Sequence, residues 1–344
     1  MRPRSRNEFE TAIICALPLE FDAIEAVLDE CYDGLGSTYG KQHGDANWYR
    51  AGRVGRHNIV LTCLPGMGKG NAASATSSLR ISFPRINLAL LVGICGGVPF
   101  PSGQTEIILG DVIISHRVVE YDFGRQYPNR FERKGVVKET LGGSNRDIRA
   151  FLVGLKTHRM HIQLQDNLLK YLRNLQQHPN GRWQYPGIAR DQLFNASYRH
   201  KHYHEHPNAP CLCMDCLSSS DPVCEKALET DCRKLGCIGE LTPRSRLSAD
   251  LPNPQICFGS LASADTVMKS GEHRDQLADT ENVVGFEMEA AGIWDNLPCI
   301  IIKGVCDYAD SHKNKVWQNY AAATAASSTK AFLDCWEATV TDSK

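Results

Sequence analysis

Six short apolar, β-branched runs recur along the chain: TAIICAL (11–17), HNIVLTCL (57–64), NLALLVGI (87–94), GDVIISHRVV (110–119), ICFGSLA (256–262) and CIIIKGV (299–305). They are nearly continuous rather than alternating, which predicts strands covered on both faces. Between several of them lie segments of helical character: PLEFDAIEAVLDE (18–30), KGNAASATSSLRI (69–81), EMEAAGIWDN (287–296) and a long one over 314–338. Pro18 suits the first turn of its helix, where a missing N–H does no harm. Alternation of strand and helix predicts an α/β fold with a mostly parallel central sheet. Sites in such folds gather at the carboxyl ends of the strands. LALLVGIC (88–95), among the longest apolar runs, is far below the roughly 20 residues that span a bilayer.

The rhythm breaks between about 125 and 254. This region is rich in His, Arg, Asn, Pro and Cys and holds two helix-like pieces, NRDIRAFLVGLKTHR and LQDNLLKYLRNLQQ. Strand-like segments resume at Ile256, so it reads as an insertion into one α/β domain spanning 1–344. An independent second domain is the alternative.

Net charge changes little in this picture. At −1 over 344 residues, the whole chain carries no bias toward nucleic acid or membrane. The basic start, MRPRSRNEFE, runs into acids and a strand, so it is a poor signal peptide. Eight of the fourteen cysteines sit singly in apolar or helical stretches, as buried thiols do. That usage points to a reducing, cytoplasmic setting.

Familiar chemical motifs fail. LPGMGKGNAAS lacks P-loop spacing, and GICGGVP is no dinucleotide fingerprint. Neither a nucleophile elbow nor an H-E-x-x-H helix occurs. What remains is a set of acids at strand ends: Glu20, Glu287 and Glu289, Asp307 and Asp310. Glycine-rich turns at 66–70 and 93–97 would let a backbone approach a ligand. Each feature alone has a plainer role, as a first-turn helix acid or a tight turn.

Taken in order, they form a resemblance. AIICALPLEFDAI, CLPGMGKGNAA, LLVGICGGVP, GDVIISHRVVEYDFG, SADTVM, FEMEAAGIW and IIIKGVCDYADS resemble, collinearly, the nucleoside phosphorylase/nucleosidase superfamily. The nearest branch is the methylthioadenosine/S-adenosylhomocysteine nucleosidases. The chain is also similar to the N-terminal nucleosidase domain of fungal receptor-type proteins with NTPase and repeat modules, some relatives of which strip adenine from ATP. The resemblance implies a three-layer fold with a central, mostly parallel mixed sheet flanked by helices. It implies Glu20 as the carboxylate that activates water and Asp307 as the acid that protonates the purine at N7. Glu289 falls on the residue that binds the ribose diol, with Met288 against the sugar. Met67, Gly96, Val267 and Met268 fall around base and sugar, and Trp317 near the ribose 5′ substituent. It further implies a small adenine nucleoside or nucleotide as partner, no required cofactor, and a homo-oligomer of two or more chains.

Breaking an N-glycosidic bond passes through a positively charged sugar and a departing base, so it needs one group that gives a proton and one that takes it. An apolar setting would keep a proton on Asp307. Glu20 would repel phosphate, and neither Ile94 nor Cys95 in the glycine turn offers a hydroxyl. These features favour hydrolysis over phosphorolysis. Ile94 departs from the nucleosidase pattern, which has a serine there.

A triphosphate wants cations. Lys313 and Lys315 lie beside Trp317, and the stretch 125–159 carries nine Lys/Arg against three acids. Arg125, Lys134, Lys313 and Lys315 are therefore the candidates for a 5′-polyphosphate, with a solvated helix face as the plainer reading of the stretch. The expected reaction is hydrolysis of ATP or dATP to adenine and the sugar triphosphate, in an immune effector domain. The alternatives are a methylthioadenosine or adenosine nucleosidase, a purine nucleoside phosphorylase, or a non-catalytic nucleotide sensor.

The six remaining cysteines cluster at 211–237, behind YRHKHYHEH. Cys213-x-x-Cys216 has ligand spacing. Cys211, Cys213, Cys216 and His204 are the candidates for a structural zinc away from the active site. Free or disulfide-linked cysteines are the alternative.

Overall fold

A computed structural model describes residues 2–32, 39–115, 117–134, 146–179, 181–204, 211–218, 221–248, 253–294 and 296–336. Lys138, Glu139 and His206, which entered the charge and ligand arguments, lie outside the described residues.

The elements run β1 (Thr11–Cys15), α1 (Pro18–Val27), β2 (Glu30–Cys31), β3 (Tyr49–Val54), β4 (His57–Cys63), α2 (Lys69–Ser82), β5 (Leu88–Gly97), β6 (Val112–Ser115) and β7 (Val118–Glu120). A small hairpin follows, β8 (Gly124–Tyr127) and β9 (Arg130–Arg133), then α3 (Arg146–Leu155), α4 (His158–Gln176), α5 (Glu225–Glu229) and α6 (Cys232–Leu235). The chain then makes β10 (Ile256–Phe258), β11 (Ser260–Ser263), α7 (Gly271–Glu281), β12 (Val283–Glu287), α8 (Ala290–Ile293), β13 (Cys299–Asp307) and α9 (Gln318–Cys335).

Eleven described strands form one sheet, in the order β10-β6-β13-β5-β1-β4-β3-β2, with β7, β11 and β12 attached beside it. The sheet is mixed but mostly parallel, as expected. β1 and β13 both run parallel to β5, so their carboxyl ends emerge on one side. β12 runs antiparallel to β5 only at its far end, with Phe286 opposite Gly96. This crossing brings the tail of β12 to the same place.

The apolar runs are buried because helices cover the sheet. Every residue of β1, β12 and β13 is buried. α9 is the principal cover, with thirteen buried residues, and many of its contacts are made by alanines that allow close approach. α3 and α4, from the irregular middle region, send Ile148, Leu152, Leu164, Leu168 and Leu172 into that same core. The later part of that region behaves differently. Around α5 and α6 the described apolar cluster has only three buried members, Cys213, Ala227 and Leu235.

Candidate active site

The carboxyl ends of β1, β5, β12 and β13 surround a cavity of about 220 Å³. Glu20 enters from the first turn of α1. Its Oε2 accepts N–H bonds from Ala16 at 2.8 Å and Leu17 at 2.9 Å, and its Oε1 accepts one from Ile94 at 2.8 Å. Gly93 permits this reach, because a Cβ there would collide with the Glu20 carboxylate. Burial pushes the Glu20 carboxyl above its usual range, while Lys303 and the backbone donors pull the other way.

Lys303 is the residue that sequence reasoning missed. It is the one charged residue inside the run CIIIKGV and is fully buried. Its Nζ lies 3.3 Å from Glu289 and 3.7 Å from Glu287. Burial opposes its charge, but Glu289, Glu287 and Glu20 together raise its pKa. A lone lysine in an otherwise apolar strand was the available signal, since such a charge stays buried only when paired.

Glu287 and Glu289 part company in their backbone roles. Glu287 accepts the N–H groups of Glu289 and Ala290, at the start of α8, and so orders that turn. Glu289 faces the cavity, and its Oε1 accepts the Gly68 N–H at 3.4 Å. Both carboxylates share the one lysine.

Asp307 lies where β13 slips register against β5: Val305 pairs with Cys95, but Asp307 pairs with Gly96. Such an irregularity re-aims a side chain. The Asp307 Oδ1 accepts the Ala309 N–H at 2.9 Å, and Oδ2 pairs with Lys313 Nζ at 2.9 Å. Its surroundings are therefore not the apolar setting expected from GVC-D-YA. Lys313 lines the cavity, as do Cys306, Ala309 and Gln318, whereas Asp307 does not line it and reaches it only through its pairing with Lys313. Burial opposes the charge of Lys313, but Asp307, Cys306 and Cys95 together raise its pKa.

Of the sequence candidates, Glu20, Glu289, Met288, Met67, Gly96, Val267 and Met268 line this cavity. At Gly96 a Cβ would meet Asp307 Oδ1 and Ala309 Cβ, each at 2.9 Å. Trp317 does not line it. The Trp317 indole is buried at the start of α9, packed on Tyr185 and Tyr320, and its N–H donates to the Arg190 carbonyl at 3.0 Å. Its neighbour Gln318 takes the wall position instead.

A second cavity, about 830 Å³, shares Lys313 and Gln318 with the first. Arg190, Arg233, Lys269 and Lys315 also line it, giving five cations with Lys313 against two carboxylates, Glu229 and Asp231. Lys315 is thus placed beside the site, but Arg125 and Lys134 are not. Arg125 is on the exposed hairpin of β8 and β9, and Lys134 follows that hairpin with its ammonium over the Phe123 ring. The described residues of the cation-rich stretch 125–159 contribute no lining residue to either cavity. Two of its cations are engaged elsewhere: Arg133 pairs with Glu281, and Lys156 lies over Phe258.

The cysteine candidates also need correction. Cys211 and Cys213 do come together, but with His202 and Cys224 rather than with Cys216 and His204. The Cys216 thiol points to the carbonyls of Ser218 and Asp221. His204 lies against Gly236.

Sheet order and the carboxylate-lined cavity define a class, that of α/β proteins with nucleoside phosphorylase architecture. The sequence profile of the Phosphorylase superfamily matches residues 10–168. The chain is 31% identical over 334 residues to a nucleotide-binding leucine-rich repeat (NLR)-like protein of Hyaloscypha variabilis, covering 95% of this chain and 29% of that protein. It is 29% identical over 112 residues to a 5′-methylthioadenosine/S-adenosylhomocysteine nucleosidase of Mycobacterium bovis, covering 33% of this chain and 38% of that enzyme. The chain therefore spans well under two thirds of the length of these relatives. Among solved structures it is similar to futalosine hydrolase of Helicobacter pylori, with TM-score 0.53, 13% identity, and coverage of 95% of this chain and 97% of that one. It is equally similar to the methylthioadenosine/S-adenosylhomocysteine nucleosidase of S. pneumoniae, with TM-score 0.53, 17% identity, and coverage of 95% and 99%. Fold and sequence together bear out the resemblance to the nucleoside phosphorylase/nucleosidase superfamily.

Proposed function

We propose that the chain is an N-glycosidase that hydrolyses the bond between adenine and ribose in a nucleotide, ATP or dATP, as the effector part of a longer receptor. The observation that carries hydrolysis is the binding state of Glu20. The three backbone N–H groups that would hold an incoming phosphate at this end of the cavity are already taken by its carboxylate. An anionic nucleophile is thereby disfavoured and a neutral water is favoured.

The chemistry then runs as follows. Water held against Glu20 gives it a proton and attaches to C1′. The C1′–N9 bond breaks, its electron pair goes to the purine, and Asp307 supplies a proton at N7. Glu289 accepts the ribose hydroxyls. Three carboxylates, Glu20, Glu287 and Glu289, surround the single Lys303, so the local field favours a sugar that becomes positive in the transition state.

The preference for a nucleotide rests on Lys313. It ties Asp307 while lining both cavities. A triphosphate in the larger cavity draws the ammonium toward itself and frees the Asp307 carboxyl for the base. A substrate without phosphates leaves the acid tied. The apolar wall of Met67 and Val267 and the similarity to a methylthioadenosine nucleosidase support a second reading, in which a 5′-alkylthio group occupies the site.

Base release from ATP, dATP, adenosine and methylthioadenosine, read by chromatography with and without added phosphate, tests these readings. Adenine from ATP without phosphate is the expected result. Release confined to methylthioadenosine favours the second reading, and release that requires phosphate removes hydrolysis altogether.

A further inference from the structure

We propose that the segment following β9 and α4 contains a zinc site built from His202, Cys211, Cys213 and Cys224, which holds the outer wall of the cation-lined cavity in place. The four donor atoms lie within 4.8 Å of one another. His202 Nδ1 is 3.5 Å from Cys211 Sγ and 3.4 Å from Cys224 Sγ, and Cys213 Sγ is 3.7 Å from Cys224 Sγ. Zinc bonds of about 2.3 Å to sulfur and 2.0–2.1 Å to nitrogen put tetrahedral edges at about 3.8 Å between sulfurs and about 3.5 Å between sulfur and nitrogen. The spacings match those edges. A disulfide would instead bring two sulfurs to about 2.05 Å, so 3.7 Å marks thiols that converge without bonding.

Local packing points the same way. This lobe has almost no core of its own, with only Cys213, Ala227 and Leu235 buried in its apolar cluster. α5 has five residues and α6 four, too short to persist without tertiary support. A region that cannot bury enough surface needs a staple, and a metal is one of the few available. The lobe is also tied inward: the His200 N–H donates to Ser311 Oγ, four residues after Asp307. His200, Thr230 and Arg233 line the larger cavity. Loss of the metal therefore loosens a wall of the nucleotide site without touching Glu20 or Glu289.

A neighbouring trio provides the contrast. His200 Nδ1 lies 3.4 Å from Cys232 Sγ and 3.7 Å from Cys237 Sγ, with its other nitrogen at the Thr230 carbonyl. Only three donors converge there among the described residues, so it lacks the fourth ligand of a closed structural site.

The test is elemental analysis of the chain purified without chelator, together with visible spectra after cobalt replacement. The expected result is zinc in the wild type, with one equivalent fewer in Cys213→Ser. The cobalt spectrum should carry the charge-transfer band of several thiolates, and that band should fall in Cys213→Ser. Cys224→His, which keeps a ligand at that vertex, should retain the metal and the fold. Cys216→Ser should be indistinguishable from wild type. Absence of zinc from the wild type, iron in its place, or zinc that survives Cys213→Ser and leaves only with Cys232→Ser would each overturn the proposal.

Discussion

The two adjoining cavities are built on opposite electrostatic principles. The smaller is carboxylate-rich, built largely at strand ends and the turns that follow them, with its glutamates paired to the buried Lys303. The larger is cation-rich and walled partly by loops and short helices of the middle region. Rigid strands suit the bond-breaking groups, which need fixed geometry. Looser walls suit a flexible, highly charged tail. Lys313 and Gln318 belong to both cavities, so the contrast is also a connection.

The contrast breaks most visibly at Glu20. Glu20→Gln removes the proton acceptor and should lower kcat by a factor on the order of 10²–10⁴, with adenine release as the readout. Activity equal to wild type would remove Glu20 from the mechanism. Lys303→Met comes next. It leaves buried carboxylates without their shared counter-charge and should cost about 3–5 kcal/mol of stability, the loss expected when one member of a buried pair is removed. Chemical denaturation measures it, and an unchanged midpoint would mean that the acids are satisfied some other way.

Substitutions in the cation-lined cavity should chiefly change the choice of substrate. Lys313→Met frees Asp307 and removes a phosphate contact, so kcat/KM for ATP should fall about tenfold relative to that for adenosine, the scale of one charged hydrogen bond. Equal effects on both substrates would show that Lys313 does not discriminate. Smaller again is the pH effect. Glu20 must be ionised to take a proton, and burial raises its pKa. The activity therefore disappears as pH falls through that raised value, so the acid limb of kcat/KM should stand above the ordinary carboxylate value of about 4.3. A limb at or below the ordinary value would contradict the buried setting.

Much of this plan is legible in the chain because strand burial writes itself as continuous apolar runs. β1, β4, β5 and β13 fall on those runs. β3 does not: YRAGRV mixes arginines with small residues, and its burial alternates only partly. α7 is missed because GEHRDQLADTE is almost wholly polar, with few buried positions to mark a face. At the site, the acids were legible as charges next to strand ends. Of the cations lining the larger cavity, Lys313 and Lys315 were legible beside Trp317, but a charge count along the sequence cannot tell Arg190, Arg233 and Lys269, which fold onto the cavity, from Arg125 and Lys134, which do not. The same limit applies to zinc spacing. Cys213-x-x-Cys216 has the right interval, yet Cys216 turns to backbone carbonyls and Cys224, eleven residues from Cys213, takes its place.

The most direct measurement is a competition in one tube: ATP and adenosine at equal concentration, no phosphate, wild type beside Lys313→Met, with both residual substrates and adenine followed in time. The account predicts that wild type consumes ATP first and that Lys313→Met shifts consumption toward adenosine. Preferential consumption of adenosine by the wild type, or the same ratio in both proteins, would contradict it.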